Sequence, residues 1–123
     1  MLRSGPIGVF DSGVGGLSVL RQIQHQFPRE NLIYLADQRH VPYGPRPIAQ
    51  VQAFSEAITR YLFVQNAKII VVACNTASSN SLDLLRKSIS MPIEGVIQPG
   101  ARAAVAATRS GRVGVIGTDS TIA

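Results

Sequence analysis

The sequence predicts an α/β protein built on a doubly wound parallel sheet. Three observations carry that expectation. Short apolar or β-branched runs recur along the chain, at residues 7–10, 32–36, 69–73, 92–96 and 113–116. Segments with apolar residues at helical spacing lie between them. Turn-rich loops follow several of the runs directly. Strands that alternate with helices form parallel sheets covered on both faces, with right-handed connections.

Each element has its own warrant. Ile7 to Phe10 reads as a buried strand and breaks at Asp11-Ser12-Gly13-Val14-Gly15-Gly16. Leu17, Leu20 and Ile23 then recur as one helix face, which Pro28 stops. Leu32 to Ala36 is the second strand, and Asp37 to Pro47 is a loop with three prolines. Pro47 suits a helix start; Ile48, Val51, Phe54, Ile58 and Leu62 form the apolar face behind it. Ile69 to Ala73 is the third strand, followed by a helix from about Ala77 to Ser88. Pro92 to Val96 is a short strand, Ala101 to Thr108 an Ala-rich helix, and Val113 to Ile116 a fifth strand. Gly117-Thr118-Asp119-Ser120 reads as a further helix entry with no helix after it, so the chain reads as cut in mid-unit.

Composition narrows the functional classes. Of 123 residues 46% are hydrophobic and 15% charged, which is a compact globular composition. No window approaches the roughly 20 apolar residues of a membrane span, and the first apolar run is too short for a signal-peptide core. The expected compartment is the cytoplasm. The net charge of +5 comes from bases scattered along the chain, and only Arg86 and Lys87 are adjacent. That pattern argues a solvated surface and no nucleic-acid partner; a site for an acidic small molecule is the next reading. The single cysteine, Cys74, excludes an internal disulfide and a Cys-rich zinc site.

The loops at 11–16, 37–46 and 74–79 hold the candidate chemistry. In doubly wound folds, ligands sit at the carboxyl ends of the strands. Cys74 follows the third strand directly, and Asn75 and Thr76 lead into a helix. A thiol there meets the positive end of a helix dipole, which favours the thiolate. Asn75, Thr76 and free amides of the first turn could hold a carboxylate beside it. The plainer reading is a small core residue, with Thr76 or Ser78 capping the helix. Asp11 would repel a phosphate but suit an ammonium group or proton traffic to a thiol; alternatively, Asp11 or Ser12 caps its own turn. Tyr43 before Gly44 could close over a small ligand, or form an ordinary Pro-Tyr-Gly turn. His40 and His25 read as surface residues, His25 favourably placed near a helix end.

Taken together, Asp11-Ser12-Gly13-Val14-Gly15-Gly16-Leu17, Val41-Pro42-Tyr43-Gly44 and Ala73-Cys74-Asn75-Thr76-Ala77-Ser78 resemble the glutamate racemases of the aspartate/glutamate racemase superfamily. Order, spacing and flanking strands agree over essentially the whole chain. Gly114-Val115-Ile116-Gly117-Thr118 is similar to the segment that opens the family's second half. The resemblance implies a first racemase domain over residues 1–97 and the start of a second, pseudo-symmetric one over 98–123. It implies that Cys74 is one of two catalytic cysteines, that Asp11 assists its proton transfer, and that Asp11, Ser12, Tyr43, Gly44, Asn75 and Thr76 bind glutamate. It further implies interconversion of L- and D-glutamate without pyridoxal phosphate, metal or other cofactor, D-glutamate destined for peptidoglycan, and a possible homodimer. The family's second cysteine lies in a Cys-Thr-His motif past residue 123, so the 123 residues are not expected to racemise glutamate alone.

Two stretches depart from the family pattern: Asp37-Gln38-Arg39-His40 stands where Asp-Thr-Ala-Arg is common, and Gln98 precedes Pro99. Three rival readings remain. Gly13 and Gly15, with Asp37 further on, imitate part of a dinucleotide fingerprint, but Ser18 stands at the third glycine position and Asp11 where pyrophosphate would approach. A racemase of aspartate or another small acid would share the motifs. A non-catalytic fragment or binding module would leave apolar surface exposed. Lys68 and Lys87 have no Schiff-base context.

Overall fold

A computed structural model describes residues 4–123; the first three, Arg3 among them, lie outside the description. The element order is β1 (Ile7–Asp11), α1 (Leu17–Gln26), β2 (Leu32–Ala36), α2 (Ile48–Val64), β3 (Ile69–Val72), α3 (Asn75–Ser88), β4 (Ile93–Glu94), α4 (Ile97–Ala107) and α5 (Asp119–Ile122). The strands form one parallel sheet in the order β2-β1-β3-β4. The chain moves outward from β1 to β2, then crosses to the other side of β1 for β3. That reversal opens a crevice between the carboxyl ends of β1 and β3, where α/β sheets bind ligands.

Side-chain alternation along the strands divides the core in two. Phe10, Ile70 and Val72 face α2 and α3, and pack with Val51, Ile58, Leu62, Ala77 and Leu85. Ile7, Val9 and Ala73 face the other way, against Val19, Leu20 and Ile23 of α1. Two helices cover the first face and one the second. Accordingly, α1 has no fully buried residue, and Phe27 just beyond it is 53% exposed.

In α2 the buried stripe is Val51, Ser55, Ile58, Thr59 and Leu62. The expected member Ile48 is exposed, because it stands at the helix start beyond the reach of the sheet. Small residues bring α2 close to α3, and Gln52 Nε2 donates to the carbonyl of Asn80 across that seam. Thr59 returns its hydroxyl to the carbonyl of Ser55 at 2.7 Å, so burial leaves it hydrogen-bonded.

Four differences from the sequence expectation have physical causes. The fifth strand is absent: residues 113–116 pair with no strand among the described residues, and Ile116 is 99% exposed. A β-branched run becomes a strand only when a neighbour supplies a ladder. The fourth strand shortens to Ile93–Glu94, the two residues that pair with β3. Helix α4 begins at Ile97 rather than Ala101 and takes in Pro99, which stands in the first turn where no N–H is needed. Helix α3 begins at Asn75 rather than Ala77, because the cap is Cys74 itself. No helix among the described residues is long and apolar enough to cross a membrane.

Leu62 is fully buried between α2 and the sheet. Leu62→Ala is expected to lower unfolding free energy by about 2–5 kcal/mol, as large-to-small core changes do; urea unfolding followed by circular dichroism measures it. A loss under about 1 kcal/mol would contradict this packing.

Candidate active site

The cleft at the switch point has a volume of about 440 Å³ and is lined by Asp11, Gly15, Gly16, Cys74, Asn75, Thr76, Val96, Thr118 and Thr121, among others. Parallel pairing of β1 with β3 sets Phe10 opposite Val72, so the residues that follow each strand emerge side by side. That register brings Asp11 and Cys74 to one place from 63 residues apart in sequence (74 − 11).

Asp11 ends β1 and is 7% exposed. Its Oδ2 accepts the backbone N–H of Gly16 at 2.8 Å, which closes the loop onto the start of α1. The glycine is required there: a Cβ on Gly16 would stand 2.7 Å from Asp11 Cβ, 2.9 Å from the Tyr34 hydroxyl and 3.0 Å from Ala73 Cβ. The next two amides are also engaged, Leu17 N–H by the carbonyl of Val14 and Ser18 N–H by that of Gly15. The loop therefore engages the amides of Gly16, Leu17 and Ser18 itself and adds a carboxylate. This is a poor cradle for pyrophosphate, which needs free amides at the helix start.

Tyr34 holds the same loop from β2, donating its hydroxyl to the carbonyl of Gly13 at 2.8 Å. Burial, then the charges of Asp11 and Cys74, push its phenol pKa upward, so it remains a donor. In the sequence it passed as a strand aromatic. Its role depends on the strand order, which no local pattern carries.

Cys74 has extended backbone and caps α3, its sulfur accepting the N–H of Ala77 at 3.4 Å. The sulfur lies 3.8 Å from Ser12 Oγ. Here the structure corrects the expectation of an acidified thiol. Burial is the largest influence and raises the Cys74 pKa. Hydrogen bonds from Ala77 and Ser12 oppose it, and the Asp11 charge raises it further. Desolvation of the thiolate outweighs the hydrogen bonds it receives at the helix end. The thiol is thus the resting form at neutral pH.

Asn75 and Thr76 occupy the first turn of α3 and line the cleft. Thr76 Oγ1 lies 3.0 Å from Thr118 Oγ1, and Thr118 Oγ1 lies 3.0 Å from Thr121 Oγ1. Thr118 and Thr121 were not singled out as site residues from the sequence. The Gly117-Thr118 turn was visible, but its docking against α3 was not. Ser78 ties this wall to the sheet, donating to the carbonyl of Val72 and accepting the N–H of Val96.

Ser12, Tyr43 and Gly44 are not among the residues lining the cleft. Ser12 touches the sulfur. Tyr43 is 1% exposed, and its hydroxyl donates to Asp37 Oδ2 at 2.6 Å. Burial and then that bond push the phenol pKa well above its ordinary range. Gly44 backs the cleft wall, since a Cβ on it would come within 2.6 Å of Thr118 Cγ2. Of the histidines, His25 stands exposed in the last turn of α1, whereas His40 is half-buried against Asp37.

A thiol and a carboxylate thus line one cleft at the carboxyl end of a parallel sheet, where α/β proteins carry their chemistry. Comparison with known proteins specifies the class: the Asp/Glu/Hydantoin racemase family model matches residues 7–123, and the chain belongs to that family. Within it the likeness is to glutamate racemases. The chain is 54% identical over 122 residues to the glutamate racemase of Corynebacterium kroppenstedtii, covering 99% of this chain and 42% of that protein. Among solved structures, it superposes with a TM-score of 0.91 on a glutamate racemase isoform from Bacillus anthracis, at 47% identity over 98% of this chain and 45% of that one. The Francisella tularensis glutamate racemase, solved in complex with D-glutamate, matches with a TM-score of 0.85 and 37% identity, covering 96% of this chain and 44% of that one. The chain thus spans less than half the length of these relatives.

Two outcomes follow from the site. Alkylation of Cys74 by iodoacetamide is expected to rise with pH and to reach half its maximum above the pH typical of a free thiol. Asp11→Asn removes a charge that disfavours the thiolate, so that midpoint should move down; an upward move or no change would contradict the electrostatics described. Gly16→Ala should disorder the 11–16 loop and lower stability by about 1–3 kcal/mol, as overpacking does, read by thermal melting.

Proposed function

We propose that this chain supplies one face of a cofactor-independent racemase site for glutamate, with Cys74 as the proton-transfer group on that face. The observation that carries the reading is the placement of Cys74: it caps α3 at the switch point, beside Asp11, in a cleft large enough for an amino acid. Supporting it, the related proteins are glutamate racemases, one of them solved with D-glutamate.

Inversion at Cα requires one group to remove a proton from one face and another to deliver a proton to the opposite face. As a thiol, Cys74 delivers a proton to a Cα carbanion and becomes a thiolate. In the reverse direction, the thiolate takes the Cα proton and becomes a thiol. Burial raises the basicity of the thiolate, which favours abstraction from a weak carbon acid. Asp11 increases that basicity and offers a partner for the substrate ammonium. Donors from Asn75, Thr76 and the first turn of α3 face the α-carboxylate and stabilise charge delocalised onto it. Ser12, Tyr43 and Gly44 complete the glutamate-binding set.

Cys74 is the only cysteine of these 123 residues, so an opposing thiol would come from outside them. We assign residues 1–97 to the first α/β domain of the racemase and 98–123 to the opening of the second. Production of D-glutamate for peptidoglycan is the corresponding cellular role.

Ligand protection tests the reading. D- or L-glutamate at millimolar concentration should slow iodoacetamide labelling of Cys74 several-fold, with aspartate weaker and NAD without effect. Equal protection by aspartate would shift the substrate to another small acid. Protection by NAD and not by glutamate would overturn the proposal.

A further inference from the structure

Three side chains of the 37–46 loop, His40, Tyr43 and Arg46, spaced every third residue, converge on one ring of α2. His40 stacks on Phe54 with ring centroids 3.9 Å apart and planes at 13°. Tyr43 lies against the same ring at 5.8 Å, and the Arg46 guanidinium sits 5.3 Å from its centroid. Asp37 joins them: both its oxygens lie 2.9 Å from His40 Nδ1, and Oδ2 accepts the Tyr43 hydroxyl at 2.6 Å. Arg46 closes the loop on itself, its Nε donating to the His40 carbonyl at 2.7 Å. This clasp buries a tyrosine completely within a connecting loop, where exposure is the rule. It also fixes the residue after it, Gly44, which presses on Thr118; Thr118 in turn meets Thr76 in the cleft beside Cys74.

We propose that Asp37 and His40 are positioning residues: through Tyr43 and Gly44 they set the place of Thr118 and Thr76, and so the affinity of the cleft for its amino-acid ligand. Neither touches the cleft, as neither is among its lining residues. The inference rests on the glutamate reading for its ligand, but its geometry stands apart from that reading. A partly buried carboxylate that accepts from two side chains at once loses charge-assisted bonds when either partner is removed. A loop released at Tyr43 leaves the Gly44 backbone free to retreat from Thr118.

The test uses the whole chain and two readouts. The first is the glutamate concentration that half-protects Cys74 from iodoacetamide. Asp37→Asn and His40→Ala should each raise it about tenfold, the size expected for one lost charge-assisted hydrogen bond. The labelling rate without glutamate should stay within about twofold, because Cys74 and Asp11 are untouched. His40→Arg, which keeps a donor and a planar group for Phe54, should restore the wild-type value. The second readout, amide hydrogen exchange, needs no ligand: Gly44 and Thr118 should lose protection in Asp37→Asn and His40→Ala while β1 and β3 keep theirs. Unchanged protection at Gly44 and Thr118 overturns the proposal whether or not glutamate binds. Lost protection in a protein whose wild type glutamate fails to protect sinks the substrate reading and leaves the clasp standing. Lost protection with unchanged half-protecting concentrations overturns the link to affinity.

Discussion

The parallel pairing of β1 with β3 is the constraint on which the rest of the structure depends. It sets Phe10 opposite Val72, and so places Asp11, which ends β1, beside Cys74, which follows β3. The two are 63 residues apart in sequence, and neither has chemistry of its own without the other. The burial of both residues follows from the same register. A sheet covered by helices on both faces keeps its strand ends dry except at the crevice where the topology reverses. Asp11 and Cys74 are two of the polar groups at that crevice, and their burial is what makes them influence each other.

That burial decides the character of the thiol. Desolvation and then the Asp11 carboxylate push the Cys74 pKa up, and three hydrogen bonds, from the Ala77 amide and from the Ser12 side chain and backbone, pull it down. The upward influences win. The resulting group is a poor nucleophile at rest and a strong base once deprotonated, which suits proton transfer at carbon better than covalent catalysis. The Asp11 loop serves the same end. It consumes the amides that a phosphate site would leave free, and gives the cleft a carboxylate in their place.

Much of this was legible in the sequence, for identifiable reasons. The run Ile69 to Ala73 marks a strand buried on both faces, and Cys74 follows it with no spacer, so its position at a strand end could be read directly. The same holds for Asp11 after Ile7 to Phe10. What failed depended on partners distant in the chain. Residues 113–116 have the composition of a strand, but pairing is a property of two segments and the second is not among those described. The sign of the Cys74 shift was missed because burial is set by α3 packing on the sheet, whereas the helix-end argument is local. Tyr43 and Gly44 were recognised as a turn, but the Asp37–His40 and His40–Phe54 contacts that hold the turn join residues up to 14 apart (54 − 40) and leave no periodic trace. Thr118 and Thr121 were visible only as a helix entry, because the contact of Thr118 with Thr76 spans more than 40 residues.

The central claim is that Cys74 moves a proton at the α-carbon of glutamate. It is tested most directly by incubating the chain with L- and with D-glutamate in deuterated water and following the Cα–H signal by NMR. The account predicts deuterium incorporation into one enantiomer, abolished in Cys74→Ser while glutamate still binds. Incorporation that persists in Cys74→Ser, or none in either enantiomer from a folded chain that binds glutamate, would contradict it.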